Sequence, residues 1–158
     1  MRALAGTAAE VPLTHDGRGN VQPSWSPDGS MIAFHSQGRG IWVMPARGGA
    51  PRQLAEEGSH PSWSADGRRI VFQSDEPADV TPNAFGAQSG GTILTVDVDG
   101  RNRKQLTAAG QPLGGHAYPV WSRDGRFVAF SVFDGGRNNG VWRSAVDTGE
   151  LAHLLEGK

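Results

Sequence analysis

Pro23-Ser24-Trp25-Ser26-Pro27-Asp28-Gly29 recurs as Pro61-Ser62-Trp63-Ser64-Ala65-Asp66-Gly67 and again as Pro119-Val120-Trp121-Ser122-Arg123-Asp124-Gly125. Each copy runs into an apolar stretch: Met31-Ile32-Ala33-Phe34, Arg69-Ile70-Val71-Phe72 and Phe127-Val128-Ala129-Phe130. Self-similarity of this kind marks a repeat architecture, in which each copy is one supersecondary unit that buries its faces against its neighbours. The Ser-x-Asp-Gly step reads as a tight turn, because Asp accepts local backbone hydrogen bonds and Gly tolerates positive φ. The phrase therefore predicts a strand ending at the tryptophan, a turn, and a second strand.

Outward from that core, copy one gives strands at 22–26, 31–36, 41–44 and near 52–54, the last two joined through Gly48-Gly49. Copy two continues with Ile93-Leu94-Thr95-Val96, the Asp99-Gly100 turn and Lys104-Gln105-Leu106; copy three continues with Val141-Trp142-Arg143, Thr148-Gly149 and Leu151 to Leu155. Branched and aromatic residues fill the strands, while Gly, Pro, Asp and Asn fill the joints. Trp25 and Trp63 are 38 residues apart, and Trp63 and Trp121 are 58. The excess falls in two loops, one between the second and third strands of copy two and one between copies two and three. The four strands keep their register throughout. Four strands per repeat of about 40–45 residues is the unit of a β-propeller blade. Blades stack face to face, which accounts for successive apolar residues such as Ile32-Ala33-Phe34 in place of strict alternation. A plain antiparallel sandwich would not require the matched internal spacing.

The expected fold class is all-β: a partial β-propeller of three consecutive four-stranded antiparallel blades. Blade 1 covers about 21–55, blade 2 about 60–107 and blade 3 about 117–156. Residues 1–10 read as a flexible N-terminal tail, and 11–158 as the partial propeller. Val11-Pro12-Leu13-Thr14 resembles Arg52-Gln53-Leu54-Ala55, and so reads as the outer strand of a preceding blade.

The Pro-x-Trp-Ser-x-Asp-Gly-x-x-Ile-Ala-Phe phrase, with Gly48-Gly49 leading to Arg52-Gln53-Leu54, resembles the WD-repeat-like blades of TolB-type six-bladed propellers. The resemblance covers nearly all of 11–158. It implies a ring that serves as a binding platform, in a periplasmic or cell-envelope setting. Similar blades also form gating propellers of prolyl-oligopeptidase relatives and, in some lyases, hold a metal near the central tunnel. All of 11–158 is expected in blades, so no counterpart of TolB's separate N-terminal domain is expected within it. Closed propellers need about 4–8 blades, so three imply neighbouring blades, or two copies, to complete the ring.

Composition narrows the function classes. With 37% hydrophobic and 20% charged residues, and 23 glycines, the chain suits a turn-rich globular protein. Net charge is −1, and nearly all the basic residues are arginine, so no broad basic surface exists to collect phosphates and nucleic acid is not an expected partner. No apolar run approaches the length of a membrane span. Met1 to Glu10 does not read as a signal peptide. Without cysteine there is no disulfide or thiol chemistry.

Topology suggests where binding would occur. In a propeller, loops joining second to third strands share one face with loops between blades, and both insertions here are of those two kinds. His15, Asp16, Arg39, His60, Asp75, Glu76, Asn83, Phe85, His116 and Tyr118 are therefore expected on one interaction rim, with a protein or peptide as partner. Phe85 would be either an anchor for that partner or tucked against its own blade. His60 stands three residues before Trp63, where the other copies carry Gln22 and Tyr118. No paired metal-binding spacing links the histidines, so no metal or other cofactor is expected and the histidines read as bonded to loop backbone. Asp97-Val98-Asp99-Gly100 lacks the distant glutamate of a calcium loop and reads as a turn. The repeated Asp28, Asp66 and Asp124 read as turn formers. No nucleophile elbow or phosphate loop is present, and no catalytic residue is expected. The reading is a non-catalytic binding scaffold, the alternative being the propeller domain of an enzyme: an accessory gate of a hydrolase, or a metal-dependent lyase.

Overall fold

The computed structural model describes residues 11–75, 91–134 and 137–155 of the chain. These form twelve strands in three four-stranded antiparallel sheets, each sheet built in chain order. Blade 1 holds β1 (Asn20–Trp25), β2 (Met31–Ser36), β3 (Ile41–Pro45) and β4 (Arg52–Ala55). Blade 2 holds β5 (Ser59–Trp63), β6 (Arg69–Gln73), β7 (Ile93–Asp97) and β8 (Lys104–Gln105). Blade 3 holds β9 (Gly115–Trp121), β10 (Phe127–Asp134), β11 (Arg137–Ala145) and β12 (Leu151–Leu155). The three blades expected from the repeat are present. Blade 3 begins earlier than the phrase suggested, because Gly115 and His116 pair with Phe133 and Val132.

The repeated phrase builds the same turn three times. Ser26, Ser64 and Ser122 donate their hydroxyls to Asp28, Asp66 and Asp124 at 2.6–2.7 Å. Each serine oxygen in turn accepts the backbone N–H five residues on, from Met31, Arg69 and Phe127. The glycine that follows each aspartate has φ 70°, a left-handed value that a side chain would oppose. Hydrogen bonds from hydroxyl and backbone N–H hold the Asp28 carboxyl down to about 2, and those of Asp66 and Asp124 also lie below the usual range. These aspartates are structural, as the repetition implied. The Asp97 to Asn102 segment is likewise a self-bonded turn, with Asn102 donating to Asp97 and the Arg101 N–H to Asp99.

Between blades lie two apolar cores. Trp63 packs with Ala33, Ile41, Val43 and Leu54 of blade 1 and with Ile70 and Phe72 of its own blade. Trp121 packs with Val71, Ile93 and Leu106 of blade 2 and with Val128 and Phe130 of its own. Inner strand β5 packs against β1 and β2, and β9 against β5 and β6, so β1, β5 and β9 line a common axis. Val11–Thr14, expected as an outer strand, lies in no strand. Residues 1–10 lie outside the description.

Candidate functional site

Within each inner strand the pairing register slips: between Val21 and Ser24 in β1, between Ser59 and Ser62 in β5, and at Tyr118-Pro119 in β9. The slips are β-bulges, which bend a strand and re-aim one side chain. The residue re-aimed is Gln22, His60 or Tyr118, each followed by proline. Their φ values are 55°, 53° and 54°. A left-handed backbone at a non-glycine residue costs about 1–3 kcal/mol and persists only where the surroundings impose it. The following proline makes the conformation less favourable still, since it disfavours helical backbone in the residue before it.

Two glutamines impose it at His60 and Tyr118. The His60 backbone N–H donates to Gln22 Oε1 at 2.9 Å, and the Tyr118 N–H donates to the buried Gln73 Oε1 at 3.0 Å. Each glutamine belongs to the preceding blade, so the strain is held across a blade junction. The three Gln/His/Tyr-Pro pairs then converge around a cavity of about 350 Å³ on the axis. His60 and Tyr118 meet edge to face at 4.6 Å between centroids, and Tyr118 meets Phe133 the same way at 5.9 Å.

The hydrogen-bond network fixes the state of His60. Gln22 Oε1 is committed to the His60 N–H, so the Gln22 amide nitrogen faces His60 Nε2, at 3.0 Å, and donates to it. Nε2 is then the acceptor, and the proton sits on Nδ1, 3.3 Å from the Ser59 hydroxyl, which donates onward to the Asp75 carbonyl. Burial, and secondarily the neighbouring His35, pushes the His60 imidazole down to about 4. The mouth is uncharged at neutral pH, lined by an amide, a neutral imidazole, a phenol and three prolines.

The other expected rim residues are distributed as follows. Asp75 is half-buried beside Ser59, and its carboxylate accepts from Ser74. Arg39 sits in the β2–β3 turn with its guanidinium 4.2 Å above the Trp42 ring, and its carbonyl accepts from Trp42 and Gln53. His15 and Asp16 are exposed ahead of β1, where Asp16 accepts from Asn20 within its own turn. His116 is fully buried: one ring nitrogen bonds the Pro112 carbonyl and the other the Thr107 hydroxyl, each at 2.8 Å. Burial keeps its imidazole below the ordinary value, and its role is to anchor the interblade loop. Glu76, Asn83 and Phe85 lie outside the described residues. The structure brings His60 and Tyr118 together and adds Gln22, Pro23, Pro61 and Pro119, which the rim expectation left out. Their signal was the shared places two and three residues ahead of each tryptophan.

A larger hollow of about 610 Å³ lies at the opposite, turn-bearing face, lined by Arg52, Arg68, Arg69, Asp66, Asp97 and Asp99. Most of its charges are engaged within the fold: Arg52 bonds the Val98 carbonyl, Arg69 lies over Trp121, and the aspartates hold their own turns. Among the described residues no three of His, Asp and Glu are grouped to hold a metal. No described helix is long and apolar enough to cross a membrane.

No protein-family model matches the chain. Among solved structures, a putative TolB from Agrobacterium tumefaciens superimposes with a TM-score of 0.67 at 24% identity, over 84% of this chain and 45% of that one. TolB from Acinetobacter baumannii gives 0.65 at 23% identity, over 90% and 33%. Among curated proteins, the uncharacterised peptidase YuxL of Bacillus subtilis is 37% identical over 54 residues, 32% of this chain and 8% of that protein. The chain thus has the fold of three TolB-type propeller blades and spans less than half the length of either TolB structure.

Proposed function

We propose that these blades form a non-catalytic binding scaffold whose axial mouth receives a short, uncharged segment of a protein or peptide. The observation that carries this reading is the threefold use of one strained backbone conformation to aim three different side chains at one cavity. Strain that only shaped the strand would be met by glycine in every copy. Here Gln22, His60 and Tyr118 supply an amide, an acceptor nitrogen and an aromatic face, on a framework rigid enough that little ordering entropy is lost on binding. Prolines flank each of them and leave the inner edge without N–H donors there. A periplasmic or envelope setting belongs to the same proposal and rests on likeness to the TolB structures.

The test is selection of peptides on the intact chain from a random display library, followed by calorimetry with variants. Tyr118→Ala should weaken a selected peptide at least about tenfold, while Arg68→Ala on the opposite face leaves it unchanged. Equal affinity for the wild type and Tyr118→Ala would overturn the proposal. The match to the curated peptidase supports a second reading, a gate beside a hydrolase domain. A hydrolase encoded in the same reading frame would favour it.

A further inference from the structure

Asp-Gly is written six times: Asp16-Gly17, Asp28-Gly29, Asp66-Gly67, Asp99-Gly100, Asp124-Gly125 and Asp134-Gly135. The first five lie wholly within the described residues. The step is chemically labile, because glycine has no Cβ to shield its backbone nitrogen from the aspartate before it. That nitrogen can give up its proton and attack the aspartate Cγ. A C–N bond forms, the bond from Cγ to its hydroxyl oxygen breaks, and water leaves. Water then opens the resulting five-membered imide at either carbonyl. Opening at the main-chain carbonyl leaves an isoaspartate, in which the chain runs through the side-chain carbon. The mass is unchanged, and water is the only co-reactant.

In four of these five steps the fold withholds the nucleophile. The Gly29, Gly67 and Gly125 N–H groups donate to the Ser26, Ser64 and Ser122 carbonyls at 2.9, 2.9 and 3.0 Å, and Gly100 donates to the Asp97 carbonyl at 2.8 Å. The electrophile is held too. Asp28, Asp66 and Asp124 each accept the serine hydroxyl two residues back and the N–H two residues on. Attack requires the turn to open and these bonds to be lost together. Asp16-Gly17 differs. Both residues are exposed ahead of β1, and the Gly17 N–H has no acceptor among the described residues. Space beside the Gly17 α-carbon is open. Only Asp16 Oδ1 is engaged, by the Asn20 amide at 2.8 Å and the Arg18 N–H at 3.3 Å.

We propose that Asp16-Gly17 is the site at which this chain forms isoaspartate spontaneously, while the repeated turn protects the Asp-Gly step of each blade. The bond from glycine N–H to serine carbonyl closes the turn and also keeps the nitrogen from reacting. Conversion adds one carbon to the backbone ahead of β1 and displaces the carboxylate that receives Asn20, the first residue of that strand. This inference does not rest on the peptide-binding reading, and either can fail alone.

Peptide mapping of the intact chain, aged in the folded state at neutral pH, tests it. Isoaspartate is read by mass spectrometry as a peptide of unchanged mass and shifted elution that resists an endoprotease cutting before aspartate. Asn139-Gly140, whose conversion raises the mass, is scored apart. Asp16 should convert about fivefold or more faster than Asp28, Asp66, Asp99 and Asp124, the factor that one committed hydrogen bond imposes. In urea, where no turn persists, the five steps should convert at similar rates. Ser64→Ala removes the hydroxyl that holds Asp66, and should raise conversion at Asp66 above that at Asp28 and Asp124. A folded chain in which any of the four keeps pace with Asp16, or the same ranking preserved in urea, would overturn the proposal. An Asp66 rate unmoved by Ser64→Ala would overturn the protective role of the turn.

Discussion

The turn-bearing face and the axial mouth both repeat three times, but they repeat different things. At the turns the side chains themselves recur: serine, aspartate and glycine, bonded the same way in each blade. At the mouth the backbone recurs, with φ between 53° and 55°, while the side chains are Gln, His and Tyr. Identical side chains in equivalent places mark groups the fold needs. Identical backbone carrying different side chains is what the proposed binding mouth requires. Under the proposed function, the two faces of one blade separate support from display, although they lie on the same inner strand.

The largest effect expected along this contrast is at the turns. Ser64→Ala removes a buried hydroxyl that bridges the Asp66 carboxylate and the Arg69 N–H. It should destabilise the chain by about 1–3 kcal/mol, seen as a fall of several degrees in Tm. Binding at the mouth should be unaffected once the chain is folded. An effect within error would mean that the turn repeats without supporting the blade.

At the mouth the informative comparison is between two substitutions at one position. His60→Ala and His60→Gly both remove the ring, but only glycine relieves a φ of 53°. Glycine should therefore be the more stable of the two by about 1–2 kcal/mol, the reverse of its usual rank below alanine in a strand. Urea unfolding of the pair measures this directly. Alanine equal to or above glycine would mean that the strain is absent in solution.

Titration should divide the two faces into separate windows. His60 has its folded value pushed down to about 4, below the unfolded value near 6.5. The unfolded chain therefore binds more protons between those limits. Stability is complete above pH 6.5 and declines as pH falls toward 4, by about 1 kcal/mol after allowance for the solvent screening of a half-buried ring. His60→Gln should flatten that slope. The turn aspartates act lower. Asp28 is held down to about 2 from an ordinary value of 3.8, so its contribution is present above 3.8 and lost as pH falls toward 2. A single acid transition unaltered by His60→Gln would merge the two windows and remove the distinction.

Most of the scaffold was legible because one phrase carries two jobs. Ser-x-Asp-Gly encodes the turn, and the tryptophan before it encodes the blade junction. The spacing between copies then assigned every strand to a blade. The mouth was legible only as an alignment of Gln22, His60 and Tyr118. Local preference argues against a left-handed residue before proline, and the groups that impose it, Gln22 on His60 and Gln73 on Tyr118, act from the preceding blade. His116 shows the same limit from the other side. It was expected on a rim with His60, yet it is fully buried, because β9 extends to Gly115 and Thr107 and Pro112 supply partners for both ring nitrogens. Trp25 and Trp63 are written identically and differ sevenfold in exposure, a difference set wholly by what stands beside the blade.

The separation of display from support is tested most directly by mapping amide chemical-shift changes in the folded chain as a library-selected peptide is added. Changes should centre on Gln22, His60 and Tyr118 and spread to Gln73 and Phe133. Changes centred instead on Ser26 to Ser30, Ser64 to Arg68 and Ser122 to Arg126, with the mouth silent, would contradict it.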